Sequence, residues 1–447
     1  MASIVDAALR IKGDPAALID PFIVEGVCEE EKHRWRDRVL DPVRTLEAFA
    51  MQMAHGNTAI THVVRLCGCG FGEAAYCNAR QRLPVQVFRR LLRAATDRLR
   101  RDDRAAPGTW KGHRTLTTDG TGCDMPDTPE LQAYFGQSKA QKSGCGFPIA
   151  NVLTLFDAHS LMLLDLVISP FSTNDLSRTP LLHGHIEAGD ILIGDRGFCA
   201  YTHIALLLQR DAHAVFRAHH ARELPFPALP GPRERYGYNR HRRQRPELVR
   251  LINTDDQVIE ISKPHNRSPW LSSEQFAQVR AKLTVRTLRY RVEERGARSS
   301  EIVLMTTLLD PKKYPAADIA ELYRSRWQIE VNLRNLKQTL GMNSLHCKSV
   351  EGVTKEMLMF AVIYNAVCSI MVQAARRQSV AVDRISFIDA LRWLRLSDQY
   401  PELSRLKVNP RRPGRFHPRL LKRRLRYPTL KAPRAQWRAE LAAARAK

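Results

Sequence analysis

The chain has 447 residues and carries 70 Lys and Arg against 46 Asp and Glu, a formal net charge of +24. With 44% hydrophobic and 26% charged residues, the composition is that of a folded protein. It excludes a wholly disordered basic tail, a collagen-like repeat and a bundle of membrane spans. A large positive excess on a folded chain indicates an anionic partner, with nucleic acid as the first candidate and an acidic membrane surface as the second.

The cysteines and the first residues predict a reduced, non-secreted protein. Asp6 stands where a signal peptide would need an apolar run. The nine cysteines are odd in number and scattered, which disfavours a disulfide framework. The longest apolar stretch, Met357 to Val372, is shorter than the roughly 20 residues of a membrane span and contains Asn365, so it predicts a buried helix.

Residues 1–107 predict a helical domain. Apolar residues recur at helical spacing from Thr45 to Leu66 and from Leu83 to Leu99. Between them, GFGEAAYCNARQRL predicts a short helix after a Gly-rich turn. A helix, a turn and a short basic helix fit a helix-turn-helix DNA reader and a plain helical bundle equally well.

Residues 108–217 change to a strand pattern. Helical segments are predicted near 175–188 and 200–210. The predicted strands are His113–Asp119, Ile149–Asp157, Leu161–Ser169, Asp190–Gly194 and Ala214–Arg217. A hairpin followed by alternating strands and helices predicts a mixed α/β sheet.

The rest of the chain divides into four segments. Residues 218–300 predict a β-rich insertion, residues 301–345 resume the core with a strand and a long helix from about 316 to 340, and residues 346–403 are helical. Residues 404–447 hold 15 Lys or Arg and one acid, a local excess of +14. Such a tail either clamps a DNA backbone or keeps the chain soluble. The interleaved Phe416 and Tyr427 favour the clamp.

The predicted long helix carries a row of polar side chains. In YRSRWQIEVNLRNLK, the offsets 0, 3, 7 and 14 belong to Tyr323, Arg326, Glu330 and Lys337. At about 100° per residue they fall within one stripe roughly 60° wide, beside the apolar flank of the helix. Arg326 and Glu330 alone would be an ordinary i,i+4 ion pair, but the full row is too regular for that explanation.

Two carboxylates are predicted at strand ends, Asp119 in TTDGTG and Asp195 in ILIGDRGF. A carboxylate that leaves a buried strand of an α/β sheet lies where such proteins bind ligands. With Glu330, the two Asp residues could converge on hard divalent cations, and Mg²⁺ prefers oxygen ligands and phosphate. Two ions about 3.5–4 Å apart would activate the attacking oxygen and stabilise the leaving oxygen of a phosphodiester.

These features together resemble the bacterial insertion-sequence transposases of the DDE class that carry the Tyr-x2-Arg-x3-Glu-x6-Lys signature. The resemblance covers roughly residues 110–420. It implies an α/β fold with a ribonuclease-H-like mixed-sheet catalytic core, an N-terminal helical domain that binds terminal inverted repeats, a β-rich insertion and a basic C-terminal segment. It also implies a cytoplasmic, nucleoid-associated bacterial protein with no membrane partner, which acts as a homodimer on the double-stranded DNA of element ends and target.

The resemblance implies a role for each matched residue. The catalytic, metal-binding triad would be Asp119, Asp195 and Glu330. It would hold two Mg²⁺ ions, or Mn²⁺, and catalyse strand cleavage followed by strand transfer in a cut-and-paste reaction. The phosphate contacts would be Tyr323, Arg326 and Lys337. Trp270, the only Trp of the insertion, would stack on a flipped base.

Neighbouring carboxylates and two other functions remain open. Asp190 begins its predicted strand, so Asp195 is preferred over it, whereas Asp124 is the carboxylate that the sequence excludes least firmly as an alternative to Asp119. The alternative functions are a catalytically inactive DNA-binding copy and a ribonuclease-H-like nuclease that cuts without joining.

Overall fold

The computed structural model describes residues 19–36, 39–68, 70–103, 109–219, 246–291, 301–396, 405–410 and 432–445, together with residues 224, 226 and 430. The structural statements below refer to these residues. The basic stretch 411–429, with Phe416 and Tyr427, lies outside them, as does most of 220–245 in the predicted insertion.

The N-terminal part of the chain is helical, as predicted. Its helices are α1 (Pro21–Glu30), α2 (Pro42–Ala54), α3 (Ile60–Cys67), α4 (Glu73–Arg82) and α5 (Val85–Asp103). Asp20 and Asp41 cap α1 and α2 by accepting a backbone N–H with their side chains. The apolar region from Thr45 to Leu66 forms two helices, because Gly56 and Asn57 between them adopt positive φ.

The middle of the chain forms one mixed nine-stranded sheet, which confirms the predicted α/β class. Its strands are β1 (Thr115–Asp124), β2 (Ile149–Asp157), β3 (Leu163–Pro170), β4 (Ile191–Gly194), β5 (His213–Arg217), β6 (Glu247–Asn253), β7 (Asp256–Ser262), β8 (Lys282–Arg291) and β9 (Glu301–Thr306). They lie in the order β3-β2-β1-β4-β5-β9-β8-β7-β6. The pairs β1·β4 and β4·β5 are parallel, and the others are antiparallel.

Three short helices connect strands of this sheet. They are α6 (Pro129–Phe135), α7 (Tyr201–Leu208) and α8 (Ser273–Gln278). Tyr201 at the start of α7 donates its hydroxyl to the carbonyl of Arg280, at 2.7 Å, so α7 is tied to the segment that leads into β8.

The prediction that Asp119 ends a strand was wrong. Asp119 lies in the middle of β1, because β2 pairs with β1 through Gly120 and Gly122 as far as Asp124. The parallel pairing of β1 with β4, in contrast, ends at Thr117↔Ile193. Asp119 therefore lies just past the point where β1 loses β4 as a neighbour.

The C-terminal half adds α9 (Ala316–Arg324), α10 (Trp327–Arg334), a π-helical turn (Asn335–Thr339), α11 (Val350–Gln378), α12 (Phe387–Leu396) and α13 (Arg434–Arg445). The prediction of one helix from 316 to 340 was wrong. The backbone N–H groups of Arg326, Gln328 and Ile329 bond three residues back instead of four. Ser325 Oγ also donates to the carbonyl of Leu322 at 2.6 Å, which competes with the helical bonding pattern.

Two hydrophobic cores meet on the face of the sheet that carries Asp119. The small core joins β4, β5, β8 and β9 to α9 through residues that include Ile193, Val215, Leu304, Ile319, Leu322 and Tyr323. The large core joins β1, β2 and β3 to α2, α5, α10 and α11 and includes Cys123, Val152, Phe156, Ile329, Leu333 and Leu336. The break between α9 and α10 therefore lies where one core ends and the other begins.

Helix α11 is the centre of the large core. It is long and apolar enough to cross a membrane by length and composition, but 89% of its most apolar stretch is buried within the part of the chain that the structure describes. This confirms the buried helix predicted for residues 357–372. Asn365 accepts from the backbone N–H of Leu163 at 2.9 Å and donates to the Leu163 carbonyl at 2.8 Å, so the polar residue of the stretch binds the start of β3.

The last described helix, α13, docks on the loop that precedes β2. Arg434 Nη1 donates to the carbonyl of Cys145 at 2.6 Å, and its guanidinium carbon lies 4.0 Å from the ring centroid of Phe147. Arg438 also lies 3.6 Å from Asp127. Part of the predicted basic tail is thus folded against the loop between β1 and β2.

Candidate active site

Asp119 is the carboxylate held most firmly by the sheet. Its Oδ1 accepts the backbone N–H of Gly120 at 2.9 Å, and its carbonyl accepts the hydroxyl of Thr154 on β2 at 2.8 Å. The pKa of Asp119 is raised to about 6, chiefly by burial and in smaller part by the negative charges of Asp195 and Glu330, against the opposing effects of the Gly120 N–H and Arg326. Asp195 and Glu330 are therefore each close enough to act electrostatically on Asp119.

Asp195 follows the last residue of β4 directly. Its side chain caps the 3₁₀ turn Arg196–Phe198 by accepting the N–H of Gly197 at 2.7 Å. This bond fixes the carboxylate at the end of the strand, where the sequence predicted it. In the register of β1 and β4, Asp119 and Asp195 are each two residues beyond the last parallel pair.

Arg326 lies between two of the carboxylates. Its Nη1 is 3.8 Å from Asp119 Oδ2, and its Nη2 is 3.3 Å from Glu330 Oε1. The Arg326 side chain is only 11% exposed, whereas that of Glu330 is 47% exposed. The guanidinium therefore links a partly buried carboxylate on the sheet to a more exposed one on the helix.

Two aromatic rings flank Arg326. Its guanidinium carbon lies 5.9 Å from the ring centroid of Tyr323 and 5.3 Å from that of Trp327. Tyr323 is buried in the small core, and burial raises the pKa of its hydroxyl. Arg326 Nε is buried and makes no hydrogen bond within the part of the chain that is described.

Lys337 lies apart from the carboxylates, farther along β1. In the π-helical turn, the N–H of Leu340 bonds the carbonyl of Asn335, five residues earlier. Lys337 Nζ donates to Thr121 Oγ1 at 3.1 Å and to the carbonyl of Gly122 at 2.5 Å. The predicted row of four is thus divided, with Arg326 and Glu330 beside Asp119 and with Lys337 on the outer half of β1.

The structure places the two candidate tryptophans differently. Trp270 is half-buried in a turn between β7 and α8, and no contact within the described chain joins it to the carboxylates. Trp327 is 55% exposed beside Arg326 and was missed by the sequence analysis. Its place directly after Arg326 was the available signal.

Other carboxylates have structural partners or lie at a distance. Asp190 is buried and accepts Arg114 Nε at 3.1 Å, and Glu321 pairs with Arg324 on the exposed side of α9. Asp124 is exposed at the end of β1. Asp175 was missed by the sequence analysis; it follows β3, and its Oδ1 accepts Asn151 Nδ2 at 2.6 Å.

The donor set fits a hard divalent cation. Within the described residues, no three His, Cys, Asp or Glu side chains form a ready-made metal cluster. Hard divalent cations such as Mg²⁺ prefer oxygen ligands and are commonly held by one or two carboxylates together with substrate phosphates. Asp119, Asp195 and Glu330 offer only oxygen donors, and a nearby positive charge would stabilise the ionised form of the partly buried Asp119.

Comparison with known proteins finds a matching family, a curated relative and a more distant solved structure. Residues 110–366, more than half of the chain, match the family described as the transposase DDE domain. The chain is 26% identical over 383 residues to the transposase InsG of insertion sequence element IS4 from Escherichia coli strain K12, which covers 80% of this chain and 78% of that protein. A structure of the piggyBac transposase synaptic complex with hairpin DNA has 9% identity and a TM-score of 0.41, covering 89% of this chain and 80% of that one.

Proposed function

Because this chain belongs to the transposase DDE domain family and is a DNA transposase of a mobile element, an enzyme of DNA cleavage and strand transfer, we propose that Asp119, Asp195 and Glu330 are its catalytic carboxylates. The observation that carries the proposal is the position of Arg326 between Asp119 and Glu330, with Asp195 close enough to raise the pKa of Asp119. This group lies where the two cores of the sheet meet.

The three carboxylates would hold Mg²⁺ or Mn²⁺, two ions in the full site. When bound, such ions supply an activated attacking oxygen and stabilise the leaving oxygen of the phosphodiester. Arg326 keeps Glu330 directed toward Asp119 before DNA arrives. The exposed Glu330 then approaches the substrate from the helix, while Asp119 and Asp195 approach it from the sheet.

The other residues of the row contact DNA phosphates. Lys337 has three N–H donors, and Thr121 and Gly122 take two of them. The third is available to a phosphate that follows β1 away from Asp119. Arg326 offers its guanidinium to the phosphate at the cleavage point, and Tyr323 positions that guanidinium through its ring and hydroxyl.

The wider architecture supports the proposed core. Strands β3-β2-β1-β4-β5 combine an antiparallel group of three with two strands parallel to β1, an arrangement that supports a ribonuclease-H-like fold. Residues 1–107 would bind the terminal inverted repeats, and two copies would act together on DNA in a cut-and-paste reaction. Trp270 and the exposed Trp327 are the two candidates for stacking on an unpaired base.

The decisive experiment uses duplex DNA that carries the element's own ends. Asp119→Ala, Asp195→Ala and Glu330→Ala should each lower the cleavage rate at least about a thousandfold, because each removes part of a charge arrangement worth several kcal/mol. End binding should change little. Glu321→Ala on the exposed side of α9 is the matched control and should cleave normally.

The same assay separates the rival functions. Wild-type cleavage without a joined product would indicate a nuclease, and binding without cleavage would indicate an inactive copy. Normal cleavage by any of the three Ala variants would exclude that residue from the catalytic group.

A further inference from the structure

Asp175 lies against the catalytic strand on the face opposite to Arg326. It begins the 3₁₀ turn Asp175–Ser177 that follows β3. Asn151 on β2 donates to its Oδ1 at 2.6 Å and also to the carbonyl of Thr173 at 2.8 Å. The Asp175 side chain is therefore held by β2 and not by its own turn.

Gly120 makes room for this carboxylate. A Cβ atom built on Gly120 would lie 2.2 Å from Asp175 Oδ2 and 2.7 Å from Asp175 Cγ, so no other residue fits while Asp175 stays in place. Successive residues of a strand point to opposite faces. Asp175 therefore approaches β1 beside Asp119 but from the other side of the sheet.

The turn that carries Asp175 also contacts the turn that Asp195 caps. The two carboxylates are close enough for Asp195 to act on Asp175 electrostatically. Asp195 thus has another carboxylate near it on each face of the sheet. Asp119 lies on the face that carries Arg326, and Asp175 lies on the opposite face.

The hydrogen bond to Asn151 does not require a charged partner. A neutral Asn at position 175 could accept the same bond through its side-chain oxygen. A half-buried negative charge next to another carboxylate is unfavourable unless a cation compensates it. A divalent cation bound at Asp195 would compensate the charges of both carboxylates.

We propose that Asp175 is a positioning residue that fixes the Asp195 turn against Gly120 and strengthens divalent-cation binding at Asp195. This inference rests on the proposed function of Asp195. It assigns Asp175 no direct contact with DNA. Asp175 acts by holding Asp195 in place and by adding negative charge near the cation.

Asp175→Asn tests the charge while keeping the hydrogen bond. Mn²⁺ is titrated into the DNA-free protein, and its binding is followed by the rise in the unfolding temperature. We expect the variant to bind Mn²⁺ about 10- to 100-fold more weakly, the range typical of residues that support metal ligands, and its cleavage to require correspondingly more cation. Asp165→Asn is the matched control, because Asp165 is a similarly buried carboxylate that pairs with His185 instead.

A double-mutant cycle tests the contact with Gly120. Gly120→Ala alone should displace Asp175 and weaken Mn²⁺ binding to a similar extent. In the Asp175→Ala background the same substitution should have little further effect, because the clashing carboxylate is gone. Additive effects would overturn the proposed contact.

The variants at Asp175 and Asp195 separate the two proposed roles. If Asp175→Asn binds Mn²⁺ and cleaves like the wild type while Asp195→Ala is inactive, only the role of Asp175 is wrong. If Asp195→Ala itself remains active, the proposed function of that site is wrong. Should Asp175→Ala fail to fold, Asp175→Asn decides the question.

Discussion

The two halves of the interrupted helix, α9 and α10 with its π-helical turn, are anchored in different cores. Ile319 and Leu322 of α9 pack in the small core, whereas Ile329 and Leu333 of α10 pack in the large core. Arg326 lies between the halves and reaches Asp119. The proposed catalytic groups therefore gather where the two cores meet.

The halves also use their basic residues in different ways. Arg326 pairs with carboxylates, so its contribution is electrostatic. Lys337 is held by a hydroxyl and a backbone carbonyl of β1, so its position depends on packing and hydrogen bonds. The row of four polar side chains thus contains an electrostatic site at Arg326 and a hydrogen-bonded, packed site at Lys337. Variants in the two halves should therefore produce different defects.

The largest effect is expected at the junction of the halves. Arg326→Ala should lower the cleavage rate about 100-fold or more, as for the loss of one charged donor in a preorganised site, because Glu330 loses its link to Asp119. The measurement is single-turnover cleavage of an end-containing duplex. Arg324→Ala, which removes an exposed Arg two residues away, should stay near the wild-type rate; an equal loss in both variants would contradict a special role for Arg326.

Without a bound cation, the ionised Asp119 should destabilise the folded protein. Its folded pKa of about 6 exceeds the ordinary value of 3.8, so its contribution to stability is present below about pH 4 and is lost as the pH rises through 6. Asp119→Asn should therefore raise the free energy of unfolding at pH 7.5 by about 1 to 3 kcal/mol. Denaturant unfolding in the presence of a chelator measures this, and a variant less stable than the wild type would refute it.

The second half can be disturbed through its backbone. Gly341 adopts a φ of +102° directly after the π-helical segment and packs on Gly56. Gly341→Ala should cost about 1 to 2 kcal/mol of stability, the cost of a left-handed residue with a Cβ. Gly189→Ala, at φ +84° in open space, should cost the same. Only the Gly341 variant should also weaken end binding, because it shifts the segment that carries Lys337.

The smallest effect is expected from Lys337 itself. Lys337→Ala should weaken end binding modestly and reduce the salt slope of binding by about 1, as for one lost phosphate contact. Binding isotherms over a range of salt concentrations provide the measurement. Lys337→Arg, which keeps the charge, should keep the slope. An unchanged slope in the Ala variant would show that Lys337 does not meet a phosphate.

Much of the fold could be predicted from the sequence, because local patterns determine it. Alternating strands and helices predicted the mixed sheet, and the apolar run of α11 predicted a buried helix. The position of Asp119 could not be predicted, because Gly120 and Gly122 look like a strand end until β2 is seen to pair across them. The helix break at Ser325 could not be predicted either, because no Gly or Pro marks it in the sequence.

The candidate site shows the same division. The spacing of Arg326 and Glu330 on a helix predicted their closeness, which i,i+4 geometry requires. Asp175 could not be found in this way, because its contacts with Asn151 and Gly120 join strands that are distant in the sequence. The exposure of Trp327 depends on how α10 packs, and the partial burial of Trp270 depends on the fold of the insertion.

The bond between Asn365 and the start of β3 has a consequence for the behaviour of the protein in a crowded cell. Strand β3 is an outer strand of a nine-stranded sheet, and the free edge of such a sheet is a template for aggregation. The Asn365 amide occupies both backbone groups of Leu163 as another strand would. A side chain from the long buried helix α11 thereby closes one end of this edge to strands from other molecules.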